Sequence, residues 1–431
     1  MLGSDLVRPL EDDWRETLDA VARRRRWPTS HDVPALAAEV ARLSAAYNDA
    51  SVARASMASA GAARLGYAFA RDVPKGAAAV RELVATGALA LGAAALRVLD
   101  VGAGLGAATW GVVRALEAAG ARGVVEATWW DADAGALELA GEIARARAGA
   151  TGNAGATGAV ALRATTAARR LVAAGPAADA RDREEAAPFD LVLVAHVLSE
   201  IDVDAPAEGR ADRHASWLRA LLERRVAAHG SLVVVEPALR DRTRHLHRVR
   251  DRLAAAGATI FAPCLHAAGC PALAAETDWC HEDLPVDLPR WLAPVARAAG
   301  LRRQGLTYSY LVMRKDGLRL ADVAAVGRRG ASLRVVSEAF RTKGKREAFV
   351  CGELPGSGAT GDAAAAVAAR VRLTRLDRDA TDANAAWPEL VRGDVVILDP
   401  APGAGKRVGA LTRVERLTSS ECRLTAIRVL D

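Results

Sequence analysis

A glycine-rich turn directly after a short apolar run constrains the fold of this chain more than any other feature. Residues 97–106 read RVLDVGAGLG, and an Ala-rich stretch of helical character, 107–119, follows. Glycine permits the positive φ angles of a tight turn and lets the backbone approach a ligand, while the first turn of a helix directs its free amides toward that ligand. The sequence therefore predicts a strand, turn and helix of a Rossmann-like sheet, with a ligand bound at the turn.

Acidic residues near this turn indicate which ligand it binds. The spacing G-x-G-x-x-A also matches a dinucleotide fingerprint, which is weak evidence alone. Asp100 comes two residues before the first glycine, where methyltransferases have an acid for the amino group of S-adenosylmethionine. The second predicted strand ends at Asp131, within reach of ribose hydroxyls. We predict S-adenosylmethionine, with a dinucleotide or an empty, degenerate site as alternatives. The predicted cofactor-binding residues are Asp100, Gly102, Gly104, Gly106 and Asp131.

Seven short apolar runs alternate with helical stretches beyond residue 95, which is the pattern of a parallel α/β sheet. The runs are 96–101, 124–130, 160–164, 189–195, 231–236, 259–262 and 307–314. Seven strands is the number in a class I S-adenosylmethionine-dependent methyltransferase. We therefore predict this α/β, Rossmann-like fold for residues 91–318.

Regions of different character flank the predicted sheet. Residues 1–90 predict a helical N-terminal region, with helices at 13–24, 33–45, 56–71 and, beginning at Pro74, 74–85. Residues 319–431 predict a small β-rich C-terminal region, in which 333–336 and 348–352 form a hairpin separated by a basic turn.

Two polar residues after the fourth predicted strand are the catalytic candidates. His196 and Glu200 lie in the segment AHVLSE, 195–200, at the edge of the expected cofactor cleft. Nucleic acid N-methyltransferases place an Asp/Asn-Pro-Pro-aromatic tetrapeptide there, which this chain lacks. His196 is either a general base or a residue that lines the cleft, and Glu200 is either catalytic or a solvated helix cap. Methyl transfer from a sulfonium depends mainly on aligning the nucleophile, the methyl carbon and the sulfur. A site without a general base is therefore compatible with catalysis.

Three of the five cysteines crowd into residues 264–280, within a predicted insertion at 262–282. The spacing C-x5-C-x9-C is not that of a zinc finger. Together with Cys351, four thiolates suit either a tetrahedral zinc or an iron–sulfur cluster. Buried cysteines without a ligand are the alternative. We expect no disulfide, because a reducing compartment favours metal ligation. The predicted metal ligands are Cys264, Cys270, Cys280 and Cys351.

Short segments spread over residues 60–352 match one known family in their order. The segments are YAFAR (67–71), LDVGAG (99–104), HVLSE (196–200), VEP (235–237), APC (262–264), CP (270–271), DWCH (278–281) and YLVMRK (310–315). The chain thus resembles the methyltransferase-like proteins of the small ribosomal subunit, found in mitochondria and bacteria. The cysteine segments are the most specific part. Ala238 replaces a usual glycine, and Glu282 replaces a usual aromatic residue.

This resemblance implies an assembly factor that binds the maturing small ribosomal subunit and its rRNA. It also implies a [4Fe-4S] cluster on the four cysteines, with zinc as the alternative metal. The expected activity is S-adenosylmethionine-dependent rRNA methylation. The alternative is a catalytically inactive assembly chaperone that keeps the fold and the cluster.

Clusters of basic residues indicate where RNA would bind. The net charge is only +6, which permits an acidic partner without requiring one. The segment RDRTRHLHRVRDR (240–252) and the turn RTKGKR (341–346) are the two main patches, and a solvated face is the alternative for each. The predicted RNA-binding residues are Arg240, Arg244, Arg248, Lys343, Lys345 and Arg346.

The first residues mix acids and bases and have no apolar segment typical of a secretory signal or transit peptide. The longest apolar stretch, 88–96, is about half the length that crosses a bilayer. We therefore expect a cytoplasmic protein without a membrane partner. The sequence does not fix the oligomeric state, for which a monomer is the expectation.

Overall fold

The computed structural model describes residues 1–48, 57–150, 160–171, 187–202, 206, 208–302, 304–355, 366–403 and 406–418. The helices are α1 (Asp12–Arg24), α2 (Val33–Asn48), α3 (Met57–Ala63), α4 (Phe69–Thr86), α5 (Ala107–Ala118), α6 (Ala134–Ala150), α7 (Arg210–Arg225), α8 (Arg240–Ala255), α9 (Ala293–Ala298) and α10 (Leu320–Ala325). The strands are β1 (Leu96–Val101), β2 (Gly123–Asp131), β3 (Val160–Ala168), β4 (Phe189–Ala195), β5 (Val226–Glu236), β6 (Thr259–Ala262), β7 (Glu282–Leu284), β8 (Leu306–Arg314), β9 (Ala331–Val335), β10 (Phe340–Thr342), β11 (Lys345–Pro355), β12 (Ala366–Leu376), β13 (Val395–Asp399) and β14 (Arg413–Arg416). Within these described ranges, no helix is both long enough and apolar enough to span a bilayer.

The larger sheet has the strand order β3-β2-β1-β4-β5-β8-β6, and β7 pairs with β8 beside it. Strands β1 to β5 run parallel, whereas β8 is antiparallel to both β5 and β6. This order, with an antiparallel strand inserted next to the edge, is that of class I methyltransferases. The predicted fold class is therefore confirmed, and all seven predicted strands are present. The short β7, which follows the last cysteine of the insertion, was not predicted.

The second sheet has the order β10-β11-β9-β13-β14, with β12 also paired to β11. All of these pairs are antiparallel. The predicted pairing of 333–336 with 348–352 is confirmed, since Val335 lies opposite Val350. The basic segment between them forms a tight hairpin of its own, in which Gly344 adopts a φ of 74°.

The N-terminal helices differ from prediction at Pro74, which lies inside α4 instead of beginning a helix. A π-helical turn, Arg64–Ala68, joins α3 to α4 without a break. Two glycines let α4 and α5 touch closely: a Cβ on Gly76 would lie 2.6 Å from the Ala108 carbonyl oxygen, and one on Gly111 would lie 2.4 Å from that of Val73. The helix thus continues through a residue that locally favours a break, in the stretch where α4 packs tightly against α5.

A buried network of charged and phenolic side chains ties α4 to both sheets. Arg81 Nη2 lies 3.3 Å from Glu282 Oε2, and Arg334 Nη1 lies 2.5 Å from Glu82 Oε1. The Tyr310 hydroxyl donates to Glu82 Oε2 at 2.8 Å. Burial opposes ionisation of Glu82, but Arg334 and Arg81 hold its pKa below the usual value. The network explains why an acid stands at position 282, because Arg81 is completely buried and needs a counter-charge.

Candidate functional site

The glycine turn between β1 and α5 has one position that opens onto free space. Gly102, Gly104 and Gly106 have φ angles of 74°, 53° and 77°. A Cβ on Gly102 would lie 2.4 Å from Val197 Cγ2, and one on Gly106 would lie 2.8 Å from the Trp129 ring. A Cβ on Gly104 would meet nothing within 4 Å. Gly102 and Gly106 are therefore required by packing, whereas Gly104 faces a space that a ligand can fill.

Asp100, the last but one residue of β1, is completely buried directly before the turn. Its Oδ2 accepts hydrogen bonds from the Thr109 hydroxyl at 2.7 Å and the Thr109 amide at 3.3 Å. Burial raises the pKa of Asp100 to about 6, although these hydrogen bonds oppose the shift. Its Oδ1 has no hydrogen-bond partner within the part of the chain that the structure describes. A buried unpaired carboxylate oxygen is costly, so this atom suits a cationic or hydrogen-bonding ligand.

Asp131 lies at the end of β2, beside the same turn, as predicted. Its Oδ2 accepts a hydrogen bond from the Gly104 amide and its Oδ1 one from the Asp133 amide, both at 2.8 Å. These two bonds fix the carboxylate next to the open space at Gly104. Each oxygen keeps a further lone pair that can accept from a hydroxyl.

His196 follows β4 and adopts a φ of 61°, unusual for a residue with a side chain. Its Nε2 lies 4.0 Å from Asp72 Oδ1, and Asp72 forms a 2.6 Å ion pair with Lys75 of the same helix, α4. Burial, with a contribution from Lys75, lowers the pKa of His196 to about 4. Such an imidazole is neutral near pH 7 but a weak base, which favours the lining role. Glu200 lies on the turn that follows, where its amide donates to the Val197 carbonyl at 2.8 Å.

Sequence reasoning missed Glu236, which braces the segment that carries His196. Glu236 ends β5, is 2% exposed, and its Oε1 accepts from the Leu198 amide at 2.9 Å. Burial raises the pKa of Glu236 to about 7, and the Leu198 amide opposes that shift. An acid at the carboxyl end of an apolar strand was the available signal, because cleft residues of parallel sheets sit there. Asp72 and Lys75 were also missed, since nothing in their helix marks them locally.

The four predicted cysteine ligands line one cavity of about 50 Å³, together with His247, His266, Arg250, Arg370 and Tyr310. All four thiols are free and half-buried, and Cys422 lies outside the described residues. Burial raises the pKa of Cys280 to about 12 and those of Cys270 and Cys351 above their usual range. The cavity therefore favours neutral thiols unless a positive group neutralises the thiolates.

No group of three or more His, Cys, Asp or Glu side chains among the described residues is arranged to hold a metal ion. The four cysteines are instead found among the residues that line the shared cavity. Among the described groups, Arg250 carries a buried positive charge close to them, since it interacts with Cys264 and Cys270. The donor set is soft and sulfur-rich, which suits zinc or an iron–sulfur cluster better than magnesium or calcium.

One face of α8 holds the cysteine-bearing loop by hydrogen bonds to its backbone. Arg244 Nη1 donates to the carbonyl oxygens of Ala275 and Asp278, both at 2.6 Å. One turn further along, a ring nitrogen of His247 lies 3.1 Å from the Cys280 carbonyl oxygen. Residues three to four apart share a helix face, so α8 presents a ladder of polar groups to the loop.

The same ladder continues at the next turn of α8. Arg250 donates to the carbonyls of His266 and Ala268. Both carboxylate oxygens of Asp251 lie 3.0 Å from the amide of Cys270, which donates to them. The basic helix is thus the support on which the loop is built.

For Arg244 the structure corrects the prediction of an RNA contact. Its side chain is buried, and its guanidinium donates to loop carbonyls instead of reaching solvent. Arg240, Arg248 and Lys343 are exposed. Among the other predicted RNA-binding residues, Arg346 is half-buried and Lys345 forms a 3.2 Å ion pair with Glu347.

The C-terminal sheet closes the cavity from the opposite side. Cys351 lies in β11, in register with Arg334 of β9 and Arg370 of β12. Arg334 Nε donates to the Pro263 carbonyl at 3.0 Å, next to Cys264, and Arg370 pairs with Asp278 of the loop. The cavity therefore forms only where the two sheets meet.

A family model described as "Mitochondrial small ribosomal subunit Rsm22" matches residues 63–354. This match includes the glycine turn, the cysteine loop and the strand that carries Cys351. No curated protein matches the sequence significantly.

Three structurally similar proteins are methyltransferases by their names. Precorrin-6y C5,15-methyltransferase from Geobacter metallireducens is 12% identical, with 54% of this chain and 87% of that chain covered and a TM-score of 0.27. The rRNA methyltransferase aviRa from Streptomyces viridochromogenes is 18% identical, with 38% of this chain and 73% of that chain covered and a TM-score of 0.24. The plantazolicin methyltransferase BpumL, in complex with S-adenosylhomocysteine, is 9% identical, with 66% and 98% covered and a TM-score of 0.31.

Proposed function

Because this chain belongs to the family described as mitochondrial small ribosomal subunit Rsm22, we propose that it assists assembly of the small ribosomal subunit and methylates its rRNA with S-adenosylmethionine. The observation that carries the methylation part is the unpaired buried oxygen of Asp100 beside the open space at Gly104. These residues fit the amino group and the body of the cofactor.

The cofactor would supply an electrophilic methyl group, and the protein would bind and align it. Asp100 would accept from the amino group, and Asp131 would accept from a ribose hydroxyl. Its two backbone hydrogen bonds hold Asp131 in place for that contact. His196 would line the entrance for the nucleobase.

A glycine-to-valine pair tests the cofactor site by calorimetry. Gly104→Val should abolish the heat of S-adenosylmethionine binding, because the new side chain fills the open space. Gly120→Val is the matched control, since Gly120 also has a positive φ, 76°, and open space around its Cβ position. Each variant should lose a similar stability from backbone strain, about 1–2 kcal/mol. Equal binding by both variants would place the cofactor elsewhere.

A second function, an assembly chaperone without catalysis, is favoured by the surroundings of His196. The Asp72–Lys75 ion pair of α4 abuts the end of β4, where a methyl acceptor would enter. Wild-type protein that gives no binding heat for either S-adenosylmethionine or S-adenosylhomocysteine would favour the chaperone. Transfer of a labelled methyl group to small-subunit RNA from cells lacking the protein would favour the enzyme.

The proposed metal group is a [4Fe-4S] cluster on Cys264, Cys270, Cys280 and Cys351. Two observations support it: the four thiols line a shared cavity, and the cysteine segments resemble those of the family. Protein purified without oxygen should be brown and contain about four irons per chain. Colourless protein with one equivalent of zinc would replace the cluster with zinc. Metal-free native protein with four alkylatable thiols would exclude both.

RNA binding is proposed to use the exposed basic residues Arg240, Arg248 and Lys343, together with Lys345 and Arg346 at the β10–β11 hairpin. Affinity for small-subunit rRNA should fall steeply with salt, because phosphate contacts release counterions. Charge reversal at Arg248 should weaken binding and flatten this dependence. Unchanged binding would move the interface away from α8.

A further inference from the structure

We propose that the β10–β11 end of the C-terminal sheet, on the face that also carries Cys351, binds single-stranded RNA by stacking bases on its phenyl rings and a guanidinium plane. The proposal rests on the association with RNA proposed above, and it adds which form of RNA is recognised and by which surface. The surface, called here the stacking face, consists of Phe340, Phe349 and Arg372, and Arg370, which lines the cysteine cavity, borders it.

Strand register places these three side chains on one face. Side chains alternate between the two faces of a strand, so Phe349 of β11 points opposite to its buried neighbours Ala348 and Val350. Arg372 lies directly across from Phe349, and Phe340 lies across from Glu347 in the neighbouring strand. The opposite face forms the core of the sheet. Cys351, two residues after Phe349, lies on the same face as the stacking face, so the stacking face borders the cysteine cavity.

Rings and guanidinium groups alternate along this face. The Arg370 guanidinium carbon lies 5.5 Å from the centre of the Phe349 ring, and that of Arg372 lies 4.8 Å from the centre of the Phe340 ring. The two rings are 6.2 Å apart and inclined by 38°. Both phenylalanines are half-buried, so part of each ring is open to solvent. The open part of each ring is a flat apolar surface on which a base can stack.

A buried acid holds this arrangement in place. Glu347, 2% exposed, accepts from Arg372 at 2.6 Å, Thr374 at 3.0 Å and Thr342 at 3.1 Å. The hydrogen bond from Arg372, followed by that from Lys345, lowers the pKa of Glu347 to about 2. The carboxylate therefore stays charged at any physiological pH and keeps the Arg372 plane fixed against Phe340. A fixed planar group loses little freedom when a base stacks on it.

The charges near the stacking face favour a nucleic acid over a peptide or a second copy of this chain. Arg372 and Lys345 share Glu347, and Arg370 is paired with Asp278, so these charges are largely balanced. Arg341 and Lys343, at the exposed tip of the adjacent hairpin, add positive charge for phosphates. Flat stacking groups beside cations are the arrangement that binds single strands, whereas duplex RNA presents no free base faces.

The test compares a fluorescein-labelled 12-nucleotide RNA of mixed sequence with its duplex, by anisotropy on the full chain. Phe340→Leu with Phe349→Leu keeps the apolar volume but removes the aromatic planes. This double variant should bind the single strand about tenfold more weakly, with an unchanged salt dependence of the affinity. Arg372→Lys, which keeps the charge, should also weaken it. The controls are Leu411→Ala, at a 91% exposed site of the same region, and Arg413→Lys; both should bind normally.

Each of the remaining outcomes refutes a different part of the proposal. The stacking face is refuted if the wild type binds single strand and duplex equally, or if the phenylalanine changes leave RNA binding unaffected. Either result keeps the proposed RNA association. If wild type binds neither RNA, the RNA association itself fails. If the variants bind the oligonucleotide normally but lose the small subunit, the face contacts a ribosomal protein. Thermal unfolding of each variant ensures that lost binding does not reflect lost folding.

Discussion

Removal of one buried guanidinium, that of Arg244, should loosen the cysteine loop. In Arg244→Met the apolar stem is retained, but the two 2.6 Å hydrogen bonds to Ala275 and Asp278 are lost. Hydrogen bonds to a charged group contribute about 1.5–3 kcal/mol each, so the gross loss is about 3–6 kcal/mol. The freed carbonyls can reach water when the loop opens, so we expect the lower end of that range, about 3 kcal/mol.

This loss should appear as faster local opening, which thiol alkylation measures. Because 1.4 kcal/mol is a tenfold change, about 3 kcal/mol should make Cys270 and Cys280 react roughly 100-fold faster in metal-depleted, reduced protein. Mass spectrometry gives the rate for each cysteine. Iron content of the anaerobically purified variant should fall in parallel. Arg248→Met, one turn away on the exposed side of α8, is the matched control and should react like wild type.

The reasoning is refuted if Cys270 and Cys280 of Arg244→Met are alkylated at the wild-type rate. Equal acceleration in Arg248→Met would mean that the helix is destabilised as a whole. Acceleration of Cys351, which lies in the other sheet, to the same degree would likewise indicate global unfolding.

Three further predictions follow from buried groups. Glu82→Gln leaves Arg334 without its counter-charge and should lower the free energy of unfolding, measured in urea, by about 3–5 kcal/mol. The control Glu223→Gln removes an exposed ion pair within a helix and should lower that free energy by at most about 0.5 kcal/mol. Glu236 has a pKa of about 7 in the folded protein and 4.5 in the unfolded chain, so the folded protein keeps a proton that the unfolded chain releases. The free energy of unfolding should therefore fall by about 3 kcal/mol between pH 4.5 and 7. Urea unfolding at pH 5 and pH 8 should show this fall in the wild type and not in Glu236→Gln. Cys351→Ser should speed proteolysis of the C-terminal sheet and weaken small-subunit association but keep the heat of S-adenosylmethionine binding; unchanged proteolysis would contradict a cross-link between the sheets.

Local features of the sequence were enough to predict the sheet and the cofactor turn. Apolar runs bounded by turn residues specify strands, and the glycines at 102, 104 and 106 specify a turn with positive φ, because both are properties of neighbouring residues. The spread of cysteines over two regions suggested one shared site, and the structure does bring them to one cavity. The sequence could not predict the role of each glycine. Gly104 differs from Gly102 and Gly106 only in its tertiary neighbours, because its Cβ position is open and theirs are packed.

Tertiary structure alone decided the roles of the charged residues. Arg240, Arg244 and Arg248 have the same spacing along α8, yet Arg244 is buried and the other two are exposed. The difference arises because the cysteine loop packs against the face of α8 that carries Arg244, His247 and Asp251, and the Arg248 side chain lies away from that face. Glu236 likewise gains its raised pKa from the strands and turn that enclose it. Burial depends on which segments meet in space, and no local pattern in one segment carries that information.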